Sequence, residues 1–232
     1  MGRHAQGNTL RRCAVACVCV VTAVTAPPFN QASAELGDRH TVLVLGDSVL
    51  SVLRWAPESN KPLWQAGYDV INEAWGCQSL LGPGCPGSGG KSALERFVEH
   101  RDDPIDIVVV GTGYNDVGEA NLRKAMRLIS GEAKTQGVPV LWLTYHERST
   151  AARKARLYNA ELREVAPRHA NITLVDWNKH ARRRSTWFSH NGVHMNRLGG
   201  TKLGAFLAAR LDEHFAASEG QITDGGQVAG GG

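Results

Sequence analysis

Residues 41–48 read TVLVLGDS, and this stretch decides the architecture of the chain. Val42 to Leu45 is an unbroken apolar run opened by the β-branched Thr41. A strand with one wet face alternates apolar and polar residues, whereas an unbroken run fits a strand covered on both faces. Gly46 ends the run, and Asp47 and Ser48 follow at its exit.

Working outward, similar short runs recur at Tyr68–Trp75, Ile105–Val110, Val138–Leu143 and Ile172–Val175, and each reads as a strand. Helical patterns lie between them. Ser48–Trp55 can start a helix, and Ser92 caps Ala93–Arg101 with Glu95 at the capping-box position. Ala120–Thr135 carries Leu122, Met126 and Ile129 at helical spacing and stops at Gly137. Ala151–Val165 ends before Pro167, and Leu198–Phe215 forms the last helix. Strands alternating with helices imply right-handed crossovers and a parallel sheet. The expected fold is α/β: a three-layer α/β/α sandwich around a flavodoxin-like, five-stranded parallel sheet.

Both ends of the chain read differently. Arg3, Arg11 and Arg12 precede the apolar run Cys13–Ala26, and Ala32-Ser33-Ala34 offers a small-residue cleavage site. Residues 1–34 therefore read as a secretory signal peptide, with Arg11-Arg12 leaving the twin-arginine route open beside the general one. The run is short for an uncleaved anchor, since a span needs about 20 residues. Residues 35–216 form the domain. The segment 217–232, rich in Gly and poor in large apolar residues, reads as a disordered tail.

Removing residues 1–34 takes away three of the 26 basic residues and none of the 22 acidic ones, leaving 23 − 22 = +1. A charge so close to zero gives no argument for nucleic acid as a partner. Three of the five cysteines, Cys13, Cys17 and Cys19, leave with the signal. The remaining pair, Cys77 and Cys85, favours a disulfide over two free thiols in an exported chain. No His, Asp or Glu cluster has metal-ligand spacing, so neither metal nor other cofactor is expected.

Ligands of open α/β sheets bind beyond the carboxyl ends of the strands. Those ends hold Gly46-Asp47-Ser48, then Gly76, then Gly113-Tyr114-Asn115-Asp116; His194 precedes the last helix. The set, with Asn191 three residues before His194, resembles the four signature blocks of the SGNH (GDSL) serine esterases and lipases, in order, from Thr41 to Phe215. The resemblance implies a catalytic set of Ser48, His194 and Asn191. It implies an oxyanion hole made by the Ser48 N–H, the Gly76 N–H and the Asn115 amide. Ser48 attacks an ester carbonyl and His194 takes its proton.

One position departs from the family, which usually has Asp where this chain has Asn191. Three ways to orient His194 stay open: the Asn191 carbonyl oxygen, a main-chain carbonyl, or another acid such as Asp176 or Glu147. The implied activity is an exported or cell-envelope carboxylic-ester hydrolase working through an acyl-serine, as a monomer with no membrane span after signal cleavage. Its substrates are small-molecule, lipid or glycan esters with short or medium acyl chains. An O-acyltransferase using the same serine and histidine is the first alternative, and a non-catalytic binding protein is the second. Arg182-Arg183-Arg184, with Lys179 and His180, is either a solvated loop or a contact for an anionic substrate. Trp187 and Phe188 either line a substrate site or pack the loop.

Overall fold

The computed structural model describes residues 39–86 and 90–225. The signal peptide read at 1–34 lies outside them. Five strands form one sheet: β1 (His40–Gly46), β2 (Tyr68–Ala74), β3 (Ile107–Gly111), β4 (Val140–Leu143) and β5 (Ile172–Val175). All pairings are parallel, in the order β2-β1-β3-β4-β5. The helices are α1 (Val52–Trp55), α2 (Lys61–Gln65), α3 (Ala93–Glu99), α4 (Glu119–Gln136), α5 (Ala152–Val165), α6 (Trp177–Ala181) and α7 (Arg197–Gly225).

The unbroken apolar run of β1 is explained by its surroundings. Val42 and Val44 face a core built with Leu203, Leu207 and Leu211 of α7. Leu43 and Leu45 face a second core with Phe97 of α3, Met126 of α4 and Leu162 of α5. Side chains that alternate between two buried faces leave no polar position in the strand. The three-layer sandwich follows. At α3 the capping box is closed: the Ser92 hydroxyl accepts from the Glu95 N–H at 3.2 Å, and Glu95 Oε2 accepts from the Ser92 N–H at 2.8 Å.

Two expectations are corrected. Regular helix does not begin at Ser48. Residues 48–51 form a turn, in which the Ser51 N–H reaches the Asp47 carbonyl, and α1 is a single turn starting at Val52. A helix dipole at Ser48 is therefore a negligible contribution. The tail read as disordered from residue 217 is helical through Gly225. Polar composition reports on burial; the helix-forming Ala216, Ala217 and Glu219 carry the backbone on. Residues 226–232 lie outside the described ones.

Candidate active site

The order β2-β1-β3 makes the space between β1 and β3 the point where strand order reverses, the place where open α/β sheets bind ligands. Ser48 leaves β1 at this point. Its Oγ lies 2.9 Å from His194 Nε2, a contact across 146 residues of sequence. Ser48 is half-buried and His194 is exposed, so the pair is open to solvent.

Asp47 holds the serine turn. It is fully buried and accepts three N–H groups: Val49 at 2.9 Å, Tyr114 at 3.1 Å and Gly113 at 3.2 Å. The first bond shapes the turn and the other two tie it to the Gly113–Asp116 block. Burial pushes the Asp47 carboxyl up to about 6, against the pull of those three donors. Gly113 (φ +141°) has no room for a side chain, since a Cβ would fall 2.2 Å from the Tyr145 hydroxyl.

The same block is joined to the loop after β2. Asp116 accepts the Leu80 N–H at 2.9 Å, and Asn115 Nδ2 donates to the Gln78 carbonyl at 2.9 Å. The disulfide Cys77–Cys85 closes that loop beside Asn115. An amide nitrogen carries two hydrogens, so Asn115 keeps one for a ligand. The Ser48 and Gly76 N–H groups have no acceptor among the described residues. Gly76 is exposed, and the space above its Cα is open.

His194 stands on a tight hairpin. Phe188 pairs antiparallel with Met195, the Ser189 N–H donates to the His194 carbonyl at 2.9 Å, and the Gly192 N–H donates to the Ser189 carbonyl at 2.9 Å. Gly192 (φ +67°) makes the turn, and a Cβ there would lie 2.5 Å from the Arg148 carbonyl oxygen. His146, at the exit of β4, steadies the hairpin: its Nδ1 bonds the Gly192 carbonyl at 2.8 Å and its ring stacks on Phe188 at 4.0 Å. Burial lowers the His146 pKa, favouring the neutral ring. Sequence reasoning missed this histidine, although its place at a strand's carboxyl end was a usable signal.

Asn191 Nδ2 lies 2.9 Å from His194 Nδ1. Its carbonyl oxygen faces away and accepts from the Val193 N–H at 2.9 Å, the His194 N–H at 3.1 Å and the Ser189 hydroxyl at 2.9 Å. The carbonyl-oxygen route to His194 is therefore absent. Neither alternative acid reaches the ring: Asp176 caps α6 and accepts from Thr144 at 2.8 Å, and Glu147 accepts from Asn159 at 2.8 Å. No main-chain carbonyl bonds a ring nitrogen of His194 among the described residues.

The basic cluster is split. Arg182 and Arg183 line a cavity of about 710 Å³ that Asn191 also borders, while Arg184 lies over Trp187 at 5.7 Å. Trp187 stacks on Trp177 at 6.0 Å and is buried, packing the loop, while Phe188, also buried, borders that same cavity. Among the described residues, no group of three or more His, Cys, Asp or Glu is placed to hold a metal, and no helix is long and apolar enough to cross a membrane.

A parallel 2-1-3-4-5 sheet with a serine–histidine pair at its switch point defines the class: the fold is that of the SGNH hydrolases. No family model and no curated protein matches the chain. Solved structures do. The SGNH-hydrolase family esterase AlinE4 is 16% identical with a TM-score of 0.53, the match covering 83% of this chain and 99% of that one. The psychrotrophic esterase EstA from Pseudoalteromonas sp., inhibited by monoethylphosphonate, is 11% identical with a TM-score of 0.60, covering 76% and 99%. The C-terminal catalytic domain of peptidoglycan O-acetyltransferase A from Streptococcus pneumoniae, carrying a methylsulfonyl adduct, is 22% identical with a TM-score of 0.53, covering 75% and 93%. At these identities the likeness speaks for the fold.

Proposed function

We propose that the protein is an exported serine esterase that hydrolyses carboxylic esters through an acyl-serine intermediate. The observation that carries this reading is the 2.9 Å contact between Ser48 Oγ and His194 Nε2, beside three uncommitted N–H donors. An ester carbonyl oxygen is held by the Ser48 and Gly76 N–H groups and the free hydrogen of Asn115 Nδ2. Ser48 Oγ attacks the carbonyl carbon as its proton passes to His194 Nε2. The leaving alkoxide takes that proton and departs as the alcohol, and water, deprotonated by the same nitrogen, then releases the acid. Each oxyanion donor is worth about 10²–10³ in rate.

The substrates are esters with short or medium acyl chains or acylated glycans, because the chain has no long apolar insertion to cover a lipid tail. Export is supported by the arginine-flanked apolar run before residue 34 and by the Cys77–Cys85 disulfide. A panel of chromogenic esters tests the activity. The protein should turn over the short members and Ser48→Ala none of them; equal turnover by Ser48→Ala contradicts the mechanism.

One observation favours a second reading, an O-acyltransferase at the same site. The amide nitrogen that faces His194 is a poor support for a base that must activate water. Product analysis with and without a sugar acceptor separates the two: a transferase forms the acylated sugar at the expense of free acid.

A further inference from the structure

We infer that Asn191 holds His194 in the tautomer that cannot act as a base, so that the site rests in an idle state which an aspartate at the same position would release. The inference rests on the esterase reading above and specifies how its Ser48–His194 pair is governed.

The orientation of the Asn191 amide follows from its surroundings. Two backbone N–H groups, of Val193 and His194, converge on one end of the side chain, next to the Ser189 hydroxyl, whose single hydrogen also faces the His194 carbonyl at 3.0 Å. Only an oxygen can receive them. Turning the amide over would set its N–H₂ against two backbone donors that cannot turn away. The nitrogen therefore faces His194 Nδ1 at 2.9 Å.

An amide nitrogen only donates. Nδ1 must present its lone pair, so the proton of the neutral ring sits on Nε2. Nε2–H then donates to Ser48 Oγ, and the 2.9 Å contact is made in the wrong sense for catalysis. Before Ser48 can be deprotonated, the ring must lose the Nε2 proton to solvent and gain one at Nδ1. That proton then faces an N–H group with no acceptor, and the imidazolium formed during attack faces it too. An Asp-to-Asn change at this role in chymotrypsin-like enzymes costs about 10⁴ in rate through the same tautomer error.

The cradle itself suits a carboxylate. With aspartate at 191, one oxygen would keep the two backbone donors and the other would accept Nδ1–H, leaving the Nε2 lone pair on Ser48. Asn191 is thus a positioning residue acting through His194.

The test reads the tautomer and the rate separately. Protein labelled with ¹⁵N-histidine contains nine histidines, and comparison with His194→Gln assigns the ring in question. In the wild type the neutral ring of His194 should carry its proton on Nε2, and in Asn191→Asp on Nδ1. The kcat of Asn191→Asp on a short-chain ester should rise roughly 10²–10⁴-fold, with KM little changed. An Nδ1-protonated ring in the wild type overturns the inference, as does a folded Asn191→Asp protein no faster than the wild type on an ester both hydrolyse. If neither protein hydrolyses any ester, the esterase reading fails, and the wild-type spectrum alone decides the tautomer.

Discussion

Asp47 shows how one residue links the serine turn to the stability of the molecule. It is completely buried, and burial outweighs three N–H donors to hold its carboxyl near 6 rather than the usual 3.8. A group whose folded pKa is raised favours the fold when protonated. Its stabilising contribution is complete below about 4 and is lost as pH rises through about 6. Compared with Asp47→Asn, whose side chain does not titrate, the wild type should gain stability as pH falls from neutral towards 4. Denaturant unfolding of both proteins across that range measures the difference, and a flat difference contradicts the assignment. The Gly46-Asp47-Ser48 triplet was legible because small, acidic and hydroxyl residues stand at a strand exit. The sense of the Asn191–His194 contact was not. Sequence identifies an amide but does not say which end of it meets the ring, and two backbone N–H groups contributed by the hairpin decide that.

At the scale of elements, the strands and the longer helices were legible and the shortest helices were not. β5 was read to the residue, and α4 and α5 to within one residue at each end, because β-branched runs and helical spacing mark them. α2 and α6 have five residues each, too few to show a period, and both went unread. The hairpin carrying His194 was also invisible, since its turn depends on Gly192 passing the Arg148 carbonyl. A Cβ at residue 192 should shift that turn and misplace His194. Gly192→Ala is expected to lower kcat by about 10²-fold, the usual effect of a misplacement near 1 Å, while circular dichroism stays native. Unchanged kcat would mean that the hairpin does not position the base.

The loop after β2 is a further element with a measurable contribution. Cys77 and Cys85, eight residues apart, close it against Asn115. Reduction should lower the unfolding free energy by about 2–3 kcal/mol in the chain-entropy model. It should also lower kcat for esters by freeing the segment that carries Gly76. Two alkylatable thiols in protein prepared from an oxidising compartment would contradict the bond.

For the whole molecule, the sheet order brings together blocks separated in sequence. β1 and β3 are neighbours, so Asp47 can bond Gly113 and Tyr114; the loop after β2 reaches Asp116; and the hairpin before α7 returns His194 to Ser48. Strand identity and the parallel arrangement could be read from apolar runs with covered faces. The pairing of distant blocks could be expected only through resemblance to a family, because no local pattern encodes a contact across 146 residues. The central claim is that this convergence makes Ser48 a nucleophile. A fluorophosphonate reacts irreversibly with an activated serine, and peptide mass spectrometry reports which residue carries the adduct. In the wild-type protein the adduct should lie on Ser48, form faster in Asn191→Asp, and be lost in Ser48→Ala and His194→Ala. An unlabelled wild-type protein, or an adduct that persists in Ser48→Ala, would contradict the account.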